Sequence, residues 1–108
     1  MGLAQNICVP CRVGAPTLTD EEIKKYIVQI SDWQVEDNPK KIAKEFEFKG
    51  FKEAINFVNK IAQLAESEGH HPNIYIHSYK KVKLELWTHK IRGLHKNDFI
   101  LAAKIDKL

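Results

Sequence analysis

The stretch Ile74-Tyr75-Ile76-His77, followed by the basic turn Tyr79-Lys80-Lys81 and by Val82-Lys83-Leu84-Glu85-Leu86-Trp87, decides the fold. Successive residues of a strand point to opposite faces of a sheet. Ile74 and Ile76 share one parity against Tyr75 and His77. Val82, Leu84 and Leu86 share one parity against Lys83, Glu85 and Trp87. Two alternating segments joined by so short a turn predict an antiparallel hairpin.

Upstream, Phe51 to Glu68 reads as a helix, with Phe51, Ala54, Ile55, Val58, Ile61, Ala62 and Ala65 on one face. Phe57 and Leu64 widen that stripe beyond what one sheet face requires, which predicts a subunit interface as well as a core. Gly69 supplies a left-handed stop. Before it, Ile42 to Phe48 predicts a half-buried strand, although Lys44 interrupts the apolar parity of Ile42, Phe46 and Phe48. Trp33 and Val35, then Asp37-Asn38-Pro39-Lys40, predict a short strand and a turn. Leu18-Thr19-Asp20-Glu21-Glu22-Ile23 carries a capping box, Thr19 with Glu22, inside a hydrophobic staple, Leu18 with Ile23. A helix over about 20–30 follows, with Ile23, Tyr26, Ile27 and Ile30 at helical spacing. Downstream, Asp98 to Leu108 predicts a last helix with Leu101, Ile105 and Leu108 on one side. The order α-β-β-α-β-β-α predicts an α+β two-layer sandwich, an antiparallel four-stranded sheet with three helices on one face.

The chain has 108 residues, 44% hydrophobic and 29% charged, with a net charge of +3. That is the size of one domain, here 17–108 behind an N-terminal arm, 1–16. The charge is too small to argue for nucleic acid. No apolar run reaches the roughly 20 residues that span a bilayer. The first residues hold no basic region followed by an apolar one, so the expected location is cytoplasmic. Cys8 and Cys11 form one C-x-x-C, without the second pair a zinc site needs. They are expected to be thiols in a loose arm. No glycine pattern for a nucleotide loop and no H-E-x-x-H occurs.

All five histidines, His70, His71, His77, His89 and His95, fall between positions 70 and 95. Imidazoles titrate near neutrality and suit proton transfer. Glu66 stands four residues before His70, which would place both on one side of the last helical turn and let the carboxylate fix the imidazole's tautomer. Pro72 holds His71 extended, so the two adjacent rings should point in different directions. That is poor for one metal and good for two walls of a pocket. Parity groups His89 with Trp87, opposite Leu84 and Leu86, where an indole and an imidazole can hold a flat ring. His77 is expected on a strand surface and His95 near a helix cap. Asp98 serves either the helix dipole or the orientation of a histidine. A metal held by His70, His89 and an acid is the competing chemistry.

Together Glu66-x-x-x-His70-His71-Pro72, fifteen residues, and Thr88-His89-x-x-x-Gly93-Leu94-x-x-x-Asp98 resemble the signature of the pterin-4a-carbinolamine dehydratases. Tyr79-x-x-Val82-x-Leu84 and Trp33 also fit, and the resemblance covers about residues 17 to 108. It departs at His95, where the family usually carries Ser or Thr, and in a hairpin one residue longer, which a bulge would absorb. The resemblance implies loss of water from a 4a-hydroxytetrahydropterin, in tetrahydrobiopterin recycling, with no metal and no organic cofactor. It makes His70, His71 and His89 the functional histidines. Glu66, Pro72, Thr88, Lys90, Ile91 and Asp98 would orient them or shape the pterin pocket. It also implies a homodimer or homotetramer, no nucleic-acid or membrane partner, and, as the alternative function, a dimerisation partner of a transcription factor.

Overall fold

The computed structural model describes residues 2–9 and 15–108. Its elements follow the expected order: α1 (Asp20–Ile27), β1 (Gln34–Glu36), β2 (Lys41–Glu47), α2 (Phe51–Glu68), β3 (Asn73–His77), β4 (Lys81–Leu86) and α3 (Lys96–Ile105). The four strands form one antiparallel sheet in the order β1-β2-β4-β3. The β3–β4 hairpin is therefore half of the sheet, and β4 is central, between β2 and β3. The expected α+β sandwich is the fold of this chain.

The pairings run without a bulge, Asn73 opposite Glu85 through His77 opposite Lys81, so the long hairpin closes in its turn instead. Ser78 and Tyr79 make that turn with positive φ. Val82, Leu84 and Leu86 are fully buried, as their parity requires, and pack with Ile42 against the helices. Lys44 shares the inward parity without being buried bare. Its ammonium lies 2.8 Å from Asp106 Oδ1 at the end of α3 and 4.7 Å from the Phe46 ring. The same carboxylate accepts from Trp33 Nε1 and from the Ser31 N–H. Asp106 thus ties β2 and the α1–β1 connection to α3.

Four expectations need correction. The first helix ends at Ile27, not near 30, and Val28 caps it in the open. On α2, Phe51 and Ala62 are exposed, while Phe57 and Leu64 face the core. Phe57 sits between Phe46 and Phe48, at centroid distances of 4.7 and 4.9 Å. Phe57 and Leu64 are thus partly buried against the core, and Phe57 is held on the aromatic side of the sheet. The last helix begins two residues early, at Lys96, and Leu108 lies outside it, exposed. Nor is the described part of the arm loose. Leu3 is buried in the core, in a short turn of 3-10 helix (Leu3–Gln5) packed on α3. That packing, together with α1 and α2, buries α3 on nearly every side. Cys11 falls outside the described residues. No helix among the described residues is long and apolar enough to cross a membrane.

Candidate functional site

The site begins where α2 ends. Gly69 takes a left-handed conformation at φ 64°, and the His70 N–H turns back to Ala65 O while the Gly69 N–H bonds Glu66 O. This Schellman closure takes His70 off the helix before it can stack over Glu66. The expected Glu66–His70 pair is therefore absent. His70 Nε2 instead lies 2.6 Å from Asp98 Oδ1, and Glu66 Oε1 lies 2.7 Å from Nε2 of His71. The two rings do point apart, and each is held by its own carboxylate.

Asp98 is completely buried, and three donors converge on it. Its Oδ2 accepts from the His95 N–H at 2.9 Å and from Thr88 Oγ1 at 3.0 Å, while Oδ1 faces His70. An ionised carboxylate accepts only, so against it His70 donates through Nε2, and its Nδ1 has no hydrogen-bond partner among the described residues. From the first turn of α3, Asp98 both caps the helix and contacts the His70 imidazole. His95 replaces the usual hydroxyl cap with Nδ1, which accepts from the Asn97 N–H at 3.0 Å.

After β4 the chain makes a closed loop. Thr88 and Gly93 pair through N–H to O bonds, and Arg92 turns left-handed at φ 52°. A Cβ at Gly93 would stand 2.5 Å from Thr17 Cγ2, where the chain entering α1 bonds Leu94 O. Within the loop, His89 stacks on Trp87, with centroids 4.4 Å apart and planes 24° from parallel. On the outer sheet face the charge nearest the loop is covered. Glu85 is buried there, paired with Lys41 at 3.3 Å and Lys83 at 3.7 Å, and Lys41 Nζ lies 5.5 Å from the Trp87 ring.

These elements enclose a cleft of about 550 Å³ lined by His70, His71, Pro72, Trp87, Thr88, His89 and Lys90. Glu66, Ile91 and Asp98 do not line it. Glu66 and Asp98 reach it through the histidines they hold. His77 lies apart on the sheet, against Glu45, and lines no part of the cleft. Sequence reasoning missed six lining residues, Cys8, Val9, Glu68, Gly69, Asn73 and Asn97. The only signal for Glu68 and Asn97 was a second acid in Glu66-Ser67-Glu68 and an amide beside Asp98. Glu68 Oε2 is 2.7 Å from Lys104 Nζ, and its Oε1 accepts from the Cys8 N–H at 3.0 Å. The ammonium, with the Cys8 N–H, holds the Glu68 carboxyl below the ordinary glutamate range. Burial first, and the Glu68 charge second, push the Cys8 thiol up to about 12. Among the described residues, no three His, Cys, Asp or Glu side chains are grouped to hold a metal ion.

Residues 16–108 match the family model described as Pterin 4 alpha carbinolamine dehydratase. The chain belongs to this family. A relative in Alkaliphilus metalliredigens, named "Putative pterin-4-alpha-carbinolamine dehydratase", is 51% identical over 97% of this chain and 94% of its own length. Another of the same name, from Syntrophotalea carbinolica, is 46% identical over 98% of this chain and 96% of its own. Two solved pterin dehydratase-type structures are similar in fold. A transcriptional coactivator/pterin dehydratase from Brucella melitensis superposes with a TM-score of 0.79 at 30% identity, covering 85% of this chain and 97% of that one. A pterin dehydratase-like protein described as a RuBisCO assembly factor in the alpha-carboxysome superposes at 0.61 and 26% identity, covering 71% and 88%. Of the residues that carry the resemblance, His70, His71, Pro72, Thr88 and His89 line the cleft.

Proposed function

We propose that the chain is a 4a-hydroxytetrahydropterin dehydratase of the cytoplasm, acting in tetrahydrobiopterin recycling as a homodimer or homotetramer. The observation that supports this most is the convergence of His70, His71 and His89, far apart in two chain segments, on one cleft. The substrate's C4a–O bond breaks as an imidazolium gives its proton to the hydroxyl, which leaves as water. A neutral imidazole takes the proton from the adjacent ring N5, and the quinonoid dihydropterin results. The two imidazoles then re-equilibrate with solvent, so the reaction balances without an added cofactor.

Each ring has a distinct setting for this work. His70 is held by a buried carboxylate, with no partner for Nδ1 among the described residues. His71 is mostly exposed and held by Glu66. His89 is backed by the Trp87 indole, and that pair offers an aromatic surface against which a flat pterin can lie. Thr88 fixes the loop that carries His89, and Pro72, Lys90 and Ile91 complete or brace the pocket's rim. Positioned acids and bases of this kind contribute typically about 10²–10⁴-fold. The test is stopped-flow decay of a 4a-hydroxypterin. The protein should accelerate it, and His71→Ala or His89→Ala should each cut turnover at least tenfold. Unchanged turnover in both variants would remove the proposal. The alternative, a transcription-factor partner, draws on the wide stripe of α2, where Phe57 and Leu64 are partly buried and Phe51 is exposed.

A further inference from the structure

We propose that the N-terminal strap Cys8–Val9 is a wall of the substrate cleft, with Asn97 and Glu68 as the positioning residues that lock it there. This rests on the pterin reading of the cleft and assigns the strap to the same ligand. The strap lies ahead of the segment, 16–108, that defines the family. It is nonetheless fastened side chain by side chain. The Val9 N–H donates to Asn97 Oδ1 at 3.0 Å, and Asn97 Nδ2 donates back to Val9 O, so one carboxamide pairs with the strap as a neighbouring strand would. Asn97 is only 3% exposed, and among the described residues its side-chain hydrogen bonds go to this one residue. One residue earlier, the Cys8 N–H is taken by Glu68, itself clamped by Lys104. The Cys8 thiol lies 3.6 Å from Asn97 O, and Leu3 anchors the segment in the core.

A backbone fixed so firmly carries a Val9 side chain that is 56% exposed, and it lines the same cleft as the histidines. An apolar group held rigid at a half-open polar site is covered when the face of a flat heterocycle lies against it. Rigid positioning lowers the ordering cost of binding, so the strap acts on affinity more than on the chemical step.

The test uses the full chain and 7,8-dihydrobiopterin, a non-reacting flat pterin, with Trp87 fluorescence reporting binding. Val9→Asp, at an exposed position that does not threaten folding, should weaken binding about tenfold and raise KM more than it lowers kcat. Val9→Ile should restore both. Asn97→Ala should reproduce the loss. In a Cys11→Ser background, where Cys8 is the single thiol, Asn97→Ala should speed iodoacetamide alkylation at least tenfold, and saturating dihydrobiopterin should slow it at least fivefold. Unchanged pterin affinity in Val9→Asp, or an alkylation rate indifferent to pterin, overturns the wall. So does a wild-type protein that binds no pterin. A wild-type protein that binds pterin and shields Cys8, yet fails to accelerate dehydration, leaves the strap standing and removes the dehydratase.

Discussion

Asp98 carries the largest consequence of any single residue. It is completely buried, and its two oxygens serve His70, Thr88 and the His95 N–H. Removing a shared acceptor leaves buried donors unpaired, at about 1–3 kcal/mol for each group left unsatisfied. Asp98→Ala should therefore destabilise the fold by about 3 kcal/mol, read from urea unfolding. Asp98→Asn keeps the shape, but its NH₂ cannot accept. It should lower kcat at least tenfold while the folded protein persists in native buffer. Equal kcat in Asp98→Asn and wild type would show that the carboxylate serves only the cap. The motif made Asp98 visible in the sequence, but its partner was not. Position-four spacing pointed to Glu66 for His70, and that rule holds only while both residues remain helical.

At the scale of elements, the C-terminus of α2 sets the geometry of two histidines. Gly69 sits at φ 64° with nothing within 4 Å of a would-be Cβ. Gly69→Ala therefore meets no clash, only backbone strain, and should cost about 1–2 kcal/mol. Urea unfolding gives the stability, and the rate should fall as well, because His70 and His71 leave the helix through this residue. A stability loss with kcat intact would separate the stop signal from the site. The Thr19–Glu22 capping box, the glycine stop and the alternation of the hairpin are short-range patterns, and they were readable in order. The inward rotation of Phe57 was not, because the aromatic pocket that receives it comes from Phe46 and Phe48 on another element.

For the whole molecule, the N-terminal segment and α3 are joined by charge as well as by apolar packing. The Lys104 ammonium, helped by the Cys8 N–H, depresses the Glu68 carboxyl. A carboxyl lowered on folding stabilises the fold above its unfolded pKa, and that contribution is lost as pH falls through the folded one. The urea midpoint of the wild type should therefore drop as pH falls below the ordinary glutamate range. In Glu68→Gln the drop should be shallower, from a lower starting value at neutral pH. Parallel curves would mean that Glu68 does not couple the strap to acid.

The sequence by itself determined the elements, their order and the sandwich, since alternation, helical spacing and caps act between residues a few positions apart. Only the tertiary structure decided which carboxylate holds which imidazole, which face of α2 is inside, and that residues 8 and 9 border the cleft. Those outcomes depend on contacts between segments up to 89 positions apart, such as Cys8 with Asn97. Their partners are selected by packing in space, for which a linear pattern carries no signal.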